Sequence, residues 1–120
     1  MAANEKLVQE LHEKYLTVLR NMFELLDHSL SGHTGGSMSM LDIIIALYFH
    51  HLKRNPPDYD WPERDRVVLS KAHCCEAIYS VLVEIGYVSR EALKGYNEYR
   101  ETFQGHADRW ATPGMDYSGG

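Results

Sequence analysis

The chain has 120 residues, of which 44% are hydrophobic and 24% charged, a composition typical of a globular domain and unlike that of a disordered or membrane-spanning segment. Its net charge of -5 and pI near 5.7 argue against nucleic acid or an anionic membrane as a general partner. The length allows one domain at most. The two cysteines, Cys74 and Cys75, are adjacent, which provides no disulfide framework and favours a reducing, cytoplasmic setting.

The first half of the chain is predicted to be mostly helical. Apolar residues recur three or four apart over residues 4–29, which predicts a long amphipathic helix. Residues 29–39 concentrate Gly, Ser and Thr around one histidine and are expected to form a loop that lets a ligand approach the backbone. Ser39 and Asp42 have the spacing of a capping box, so a second helix is predicted over residues 41–52.

The middle of the chain is predicted to supply one strand. Residues 55–63 carry three prolines, which lack an amide donor, and are expected to form an extended surface connection. Residues 66–70, with the sequence RVVLS, form a short β-branched and apolar run that suits a buried parallel strand. A turn over residues 71–75 is expected to lead from this strand into a helix.

Two further helices and a loop are predicted to complete the chain. The apolar run over residues 77–85 predicts a helix that ends at Gly86. Ser89 is expected to cap another helix that continues to about Tyr99. Residues 104–120 are rich in Gly, Pro, Thr and Ser without periodicity and are expected to be a loop.

These elements together predict an α/β fold. Residues 1–120 are interpreted as an incomplete domain, the beginning of a parallel sheet flanked by helices, mostly helical and with one clear strand. A single strand has no partner to satisfy its backbone hydrogen bonds. For this reason the chain alone is expected to be marginally stable, with an unpaired strand edge and apolar helix faces exposed.

Three histidines, His33, His73 and His106, occupy segments flanked by glycine or alanine rather than helical faces. Ligands commonly bind at loops outside the strand ends of an α/β sheet, and imidazole can donate to phosphate or transfer protons near neutral pH. The three loops could therefore converge on one pocket. Spacing alone favours the alternative, in which the histidines are exposed or structurally satisfied.

Other polar residues are given structural interpretations. His12, His28, His50 and His51 fall on predicted helices and are interpreted as structural or solvated. A zinc site from the three loop histidines is not favoured, because no cysteine or carboxylate pattern accompanies them. Cys74 or Cys75 could be a nucleophile at a helix start, but a small buried side chain is the favoured interpretation. The charge cluster at residues 63–66 is interpreted as solvated ion pairs.

Four segments resemble successive motifs of the transketolases and together cover nearly the whole chain. They are SGHTGGSM at residues 31–38, DRVVLSKAH at 65–73, QGH at 104–106, and TPG at 112–114 with SGG at 118–120. Thr34 and Gly35 after the first histidine are most similar to the split transketolases, in which cofactor-binding and pyrimidine-binding parts are separate polypeptides. The chain is identified on these motifs as an N-terminal section of that family.

The resemblance implies a role for each matching residue. His33 would be catalytic, contacting substrate and relaying protons, with Gly36 beside the cofactor. His73 would contact the diphosphate, and His106 would be catalytic and position the hydroxyls of the donor substrate. Gly120 would begin the loop that holds the aminopyrimidine.

The motif around His73 departs from the family pattern at its two neighbours. Ala72 and Cys74 stand where the family usually has a glycine and a small residue. Alanine is a mild change where the backbone has ordinary dihedral angles, but a position that needs a positive φ would resist it.

The resemblance also implies an activity and its partners. The complete enzyme would transfer a two-carbon ketol unit from a ketose phosphate to an aldose phosphate, in carbohydrate metabolism such as the pentose phosphate pathway. Its cofactors would be thiamine diphosphate and Mg²⁺ or another divalent cation, with the metal ligands beyond residue 120 and none in this chain. A C-terminal transketolase section or subunit would complete a homodimer or heterotetramer, and the chain alone would be inactive.

Two alternatives to this reaction stay open. One keeps the cofactor and changes the chemistry, as in enzymes similar to deoxyxylulose-phosphate synthase or phosphoketolase. The other is a non-catalytic helical interaction module, in which the helix at residues 4–29 packs against a partner and the loop histidines have no catalytic role.

Overall fold

The computed structural model describes residues 2–120, and helices joined by turns make up its framework. The helices are α1 (Ala2–Ser29), α2 (Thr34–Ser39), α3 (Leu41–Ala46) and α4 (Cys75–Glu84). A π-helical segment, Leu47–His51, continues α3, and short 3₁₀ segments occupy Ala72–Cys74 and Arg90–Gly95.

Helices α1 and α4 form the centre of the fold. One face of α1 buries Val18, Met22 and Leu25 against α4 and the 3₁₀ segment Arg90–Gly95. Helix α4 is buried nearly all round, because α1, α2 and α3 all pack against it. The amphipathic helix predicted over residues 4–29 is confirmed and begins two residues earlier.

Polar bonds join the three packed segments. Asn21 on α1 donates from Nδ2 to the Ser80 carbonyl of α4 at 3.3 Å and accepts from Arg90 Nη1 at 2.7 Å. Lys14 Nζ and Glu84 Oε1 form an ion pair at 2.7 Å near the other end of α4. Because Asn21 is buried, these two bonds satisfy a side-chain amide that water cannot reach.

The loop predicted over residues 29–39 is wrong in its second part, where α2 forms. The amide of Ser37 donates to the His33 carbonyl at 3.0 Å, as a first helical turn requires. The predicted capping box is also wrong, because Ser39 Oγ donates to the Gly36 carbonyl and Met40 precedes α3 without a side-chain cap. Tertiary contacts at Ser37, described below, outweigh the low helix propensity of the glycines.

The helix predicted over residues 41–52 is confirmed with a change of type. It is α-helical to Ala46 and then widens to a π-helix, with the Leu52 amide donating to the Leu47 carbonyl at 2.8 Å. The connection over residues 55–63 is mostly exposed, as expected, but it consists of turns with one bridge between Asn55 and Asp58 instead of an extended segment.

The strand predicted over residues 66–70 is not formed, and residues 2–120 contain no strand at all. Strand backbone needs neighbouring strands as hydrogen-bond partners, and no other segment of the described chain is extended in register with this one. The Val67 amide instead donates to the Asp116 carboxylate at 2.8 Å. Val68 is 62% exposed, whereas Leu69 is buried, so the prediction of a fully buried segment is also wrong.

The C-terminal predictions are confirmed in outline. Helix α4 begins at Cys75, two residues earlier than expected, and Gly86 follows it with φ +83°, the left-handed conformation of a helix stop. Ser89 precedes a 3₁₀ segment without making a side-chain cap bond, and that segment ends at Gly95 rather than near Tyr99. Residues 104–120 are turns and irregular backbone.

No helix within residues 2–120 is both long enough and apolar enough to cross a lipid bilayer.

Candidate functional site

Three imidazole rings from distant parts of the sequence meet beside the N-terminus of α2. The ring centroids of His33 and His73 lie 5.4 Å apart with the planes inclined at 72°, and those of His33 and His106 lie 5.8 Å apart at 69°. His33 ends the loop after α1, His73 lies in the 3₁₀ turn before α4, and His106 lies in the C-terminal loop. The structure therefore places the three loops at one location.

A pocket of about 370 Å³ opens beside two of these rings. Residues 31–33, 96–97 and 105–106 line it. Its volume falls within the range of small-molecule sites, and the His33 side chain is 45% exposed. The imidazoles of His33 and His106 can therefore reach a ligand placed there.

Glu76 lies beneath the pocket and is fully buried, with 0% exposure. Its Oε1 accepts from the His33 amide at 2.6 Å and from the Tyr96 hydroxyl at 2.8 Å, and its Oε2 accepts from Ser37 Oγ at 2.6 Å. Burial acts to raise the pKa of this carboxyl, but the bonds from Ser37, His33 and Tyr96 outweigh burial and hold the pKa below its ordinary value. Glu76 is thus a buried carboxylate joined to the loop, to α2 and to the pocket wall.

Tyr96 forms part of the pocket wall as a neutral hydroxyl. Burial, followed by its hydrogen bond to the Glu76 carboxylate, raises the pKa of the Tyr96 phenol well above its usual value. It therefore remains a hydrogen-bond donor at any physiological pH.

Gly36 allows the His33 and His73 segments to approach each other closely. A Cβ atom at this position would lie 2.3 Å from Cys74 Sγ and 4.0 Å from His73 Nε2. Lys71 Nζ donates to the Gly36 carbonyl at 3.2 Å and to Ser39 Oγ at 3.4 Å. These contacts join α2 to the turn that carries His73.

The predicted site residues are not all brought together. His33, His73, His106 and Gly36 lie at one location. Gly120 lies in open space, with no atom within 4 Å of the place a Cβ would take. Alanine fits at position 72, because this residue lies in the 3₁₀ turn and not among the described residues with a positive φ.

The adjacent cysteines lie next to the site but are buried thiols. Burial raises the pKa of the Cys75 thiol to about 12, and its Sγ donates to the Gln104 and Gly105 carbonyls at 3.5 and 3.4 Å. Burial also raises the pKa of the Cys74 thiol. Both sulfurs are therefore protonated near neutral pH, which argues against a nucleophilic role.

A partly buried ion pair supports the C-terminal loop. Solvated ion pairs were expected for residues 63–66. Arg64 is 10% exposed and forms two bonds to Asp116, from Nη1 to Oδ2 at 2.9 Å and from Nη2 to Oδ1 at 2.5 Å. Burial acts to raise the pKa of the Asp116 carboxyl, but the bonds from Arg64 and the Val67 amide hold the pKa below its usual value. The solvated interpretation is thus wrong for Arg64, and it holds for Glu63, which pairs with Lys53 at the surface.

The sequence analysis did not predict a role for Glu76, because the residues next to it in sequence do not show which distant residues bind its carboxylate. The available signal was an acidic residue at the start of an otherwise apolar segment, CCEAIYSVLV, where a buried charge needs several donors. Within residues 2–120 no group of three or more His, Cys, Asp or Glu side chains is arranged to hold a metal ion.

Comparison with known proteins identifies relatives of this chain. Residues 12–120 match the family described as transketolase, thiamine diphosphate binding domain. The chain is 42% identical over 89 residues to a 6-deoxy-6-sulfo-D-fructose transketolase subunit of Clostridium sp. (strain MSTE9), covering 74% of this chain and 32% of that protein. It is 34% identical over 112 residues to an apulose-4-phosphate transketolase subunit of Actinobacillus succinogenes, covering 92% of this chain and 41% of the relative.

A solved structure shares the fold. The transketolase from Leishmania mexicana superposes with a TM-score of 0.81 at 33% identity, covering 90% of this chain and 16% of the other. The chain thus spans less than half the length of each of these relatives.

Proposed function

The chain belongs to the transketolase family, within its thiamine diphosphate-binding domain, and from this premise we propose that it is part of an enzyme that moves a two-carbon ketol unit from a ketose phosphate to an aldose phosphate. The observation that carries the proposal is the meeting of His33, His73 and His106 at edge-to-face distances beside a pocket. Such a cluster supplies donors for sugar hydroxyls and phosphate, and groups that exchange protons near neutral pH.

The residues present are suited to an anionic diphosphate. The imidazole of His73 can donate to phosphate oxygens. Gly36 has no side chain, so the backbone of α2 can pass close to Cys74 and His73, where a Cβ would collide with Cys74. We assign His73 and Gly36 to cofactor binding, and Gly120, which lies in open space, to the start of the loop around the aminopyrimidine. Bound thiamine diphosphate would supply the electron sink that ketol transfer needs.

The two histidines at the pocket would handle the substrate. His33 is positioned to contact the sugar and to accept or return a proton, and His106 to hydrogen-bond the hydroxyls of the donor. Their rings lie edge to face at 5.8 Å, so one sugar could contact both. The backbone of His33 is held by its bond to Glu76, which helps to place this ring before substrate arrives.

The rest of the enzyme would come from outside residues 1–120, which we propose form only the first section of the domain. The inferred partner is a C-terminal transketolase section or a separate subunit, because two of the similar proteins are named as transketolase subunits. The chain and this partner together are called the assembled protein below. Mg²⁺ or another divalent cation, a homodimeric or heterotetrameric assembly and a cytoplasmic location belong to the same proposal.

The test compares histidine variants of the assembled protein in a two-carbon transfer assay with ketose and aldose phosphates. His33→Ala and His106→Ala are expected to lower kcat/KM by about 10²-fold or more, because each removes a substrate contact or a proton-transfer group. His73→Ala is expected to weaken thiamine diphosphate binding in calorimetry. His50→Ala, an exposed histidine on the π-helical segment, is the matched control and should leave both quantities unchanged.

Two results would contradict the proposal. Unchanged activity in all three cluster variants would favour a helical interaction module without catalysis. Cofactor binding with decarboxylation of a keto acid, or with phosphorolytic cleavage of the ketose, in place of ketol transfer would favour a different thiamine diphosphate reaction.

A further inference from the structure

The Glu76 carboxylate lies beside the Nδ1 edge of the His33 ring. The carboxylate is fully buried, and Oε1 lies 3.7 Å from His33 Nδ1, while Nε2 is the other nitrogen of the same ring. The same oxygen accepts the His33 amide at 2.6 Å, so the residue is held to the carboxylate through its backbone. No role for Glu76 follows from the sequence motifs or from the reaction itself.

We propose that Glu76 is a positioning residue for His33, whose carboxylate keeps the imidazole in the tautomer that carries its proton on Nδ1 and presents the unprotonated Nε2 to the pocket. This inference rests on the proposed function, in which His33 exchanges protons with a sugar substrate. It concerns which atom of His33 accepts the proton, and it can be tested without substrate.

The tautomer follows from electrostatics. A distance of 3.7 Å is too long for a hydrogen bond, but a carboxylate this close attracts an N–H group and repels a nitrogen lone pair. A neutral imidazole carries one proton, and a carboxylate beside one nitrogen favours the proton on that nitrogen and leaves the other nitrogen as an acceptor. With Nδ1 facing Glu76, the Nδ1–H form is favoured and Nε2 is left as the acceptor.

The charge on Glu76 is maintained by its other donors. Ser37 Oγ and the Tyr96 hydroxyl donate at 2.6 and 2.8 Å, and with the His33 amide they satisfy a carboxylate that burial alone would neutralise. These three donors come from α2, from the segment beyond the 3₁₀ helix and from the loop before α2. The carboxylate is therefore fixed from three sides, and the His33 backbone is fixed with it.

Gly32 shows how closely this carboxylate and the histidine loop are fitted. A Cβ at Gly32 would lie 2.7 Å from Glu76 Oε1 and 2.4 Å from Leu26 Cδ2, and the residue has φ +155°. The backbone before His33 thus passes at contact distance over the carboxylate. Little room remains for the carboxylate to move away from Nδ1.

Two variants separate the charge from the structural bonds. In Glu76→Gln the amide oxygen can still accept from the His33 amide and from Tyr96, and the amide nitrogen can donate to Ser37, so the bonds are kept and the charge is lost. Ser37→Ala is the matched control, because it removes one bond to the same carboxylate and keeps the charge.

The experiment is ¹⁵N NMR of the assembled protein, with ¹⁵N-histidine in the polypeptide that carries this chain. Spectra are taken at about pH 8.5, two units above the ordinary histidine pKa of ~6.5, and His33 is assigned by its absence in His33→Gln. The expected result is a protonated-type Nδ1 and an unprotonated-type Nε2 in the unmodified protein and in Ser37→Ala. In Glu76→Gln the population should shift toward the Nε2–H form, and kcat should fall by roughly 10²-fold with KM changed only a few-fold.

An Nε2–H form of His33 in the unmodified protein overturns the proposal, and this measurement decides even if Glu76→Gln does not fold. An equal tautomer shift in Ser37→Ala also overturns it, because the ring would then follow the loop and not the charge. If the tautomers behave as expected but the unmodified protein transfers no two-carbon unit, the role of Glu76 stands and the proposed function is overturned.

Discussion

Gly35 and Gly36 are neighbours in α2 with different surroundings. A Cβ at Gly36 would collide with Cys74 Sγ at 2.3 Å, whereas one at Gly35 would meet nothing within 4 Å. The ordinary gain in helix propensity from glycine to alanine applies to both, but only Gly36 must also make room beside His73. Close contact, not backbone freedom, is the reason for glycine at position 36.

Gly36→Ala is therefore expected to destabilise the assembled protein by about 1–3 kcal/mol, because a new methyl group is forced into a packed contact. Gly35→Ala is the matched control and is expected to stabilise it by up to ~1 kcal/mol. Thermal unfolding of both variants measures the difference. Equal melting temperatures would show that Cys74 moves aside without cost.

The carboxylate of Asp116 should make stability depend on pH. Its pKa lies below its usual value in the folded protein, so it contributes stability that is present above the unfolded pKa of about 3.9 and is lost as pH falls through the lower folded value. Asp116→Asn is expected to cost about 2 kcal/mol at pH 7, from the weakened bonds to Arg64.

Urea unfolding of the assembled protein at pH 7, 5 and 3 checks this expectation. The difference between the unmodified protein and Asp116→Asn should be the same at pH 7 and 5 and smaller at pH 3. Asp60→Asn, at an exposed site, should show little difference at any pH. A difference for Asp116→Asn that does not change at pH 3 would contradict the role of the ionised carboxylate.

At this scale the motif resemblance singled out His33, His73, His106 and Gly36, and the structure brings these four residues to one location. Glu76 and Arg64 could not be assigned in the same way. Their importance comes from partners 20 to 52 positions away, such as Tyr96 and Asp116, and only the folded chain shows those pairs. Hydrogen bonds between residues that are far apart in sequence leave no recognisable pattern in the sequence around either residue.

At the scale of elements, the long-period pattern of α1 and the glycine stop of α4 were predictable from the sequence, because both depend on residues within a few turns. Helix α2 was not, since its GG sequence disfavours a helix and the bonds to Glu76 are what hold Ser37 and His33 in place. The strand at residues 66–70 failed for a related reason, because a strand is a property of neighbouring segments.

Asn21 makes α1, α4 and the Arg90–Gly95 segment one unit. Asn21→Ala is expected to lower the free energy of unfolding by about 1–2 kcal/mol, because it removes two hydrogen bonds of a buried side chain, while Arg90 keeps its ion pair with Glu24. Asn4→Ala, the same change at an exposed position of α1, should alter it by less than ~0.5 kcal/mol. Urea unfolding of the assembled protein gives both values, and equal effects would show that the buried bonds are replaced by water.

At the scale of the whole molecule, residues 2–120 expose large apolar side chains on several faces. Val68 is 62% exposed beside irregular backbone, and Ile43 on α3 is 63% exposed. The chain alone is therefore expected to aggregate or to remain soluble only with its partner, which gel filtration with light scattering measures. Val68→Lys should make the isolated chain more soluble and weaken its assembly with the partner section.

A sharp, cooperative melt of a soluble monomer of residues 1–120 would contradict this expectation. Unchanged assembly of Val68→Lys would show that the segment around Val68 does not meet the partner. The solubility of the unmodified chain and the assembly of Val68→Lys with the partner are thus two independent tests of whether the exposed apolar surface binds the partner.

The pairing of Arg64 with Asp116 also has a consequence during synthesis. The two residues are 52 positions apart, so at roughly 5–20 residues per second the ribosome needs about 3–10 s to deliver the carboxylate after the guanidinium. The His73 turn and α4 are both synthesised within that interval, before Asp116 can pair with Arg64. The nascent chain therefore carries an unpaired Arg64 for several seconds, a window in which chaperones would encounter it.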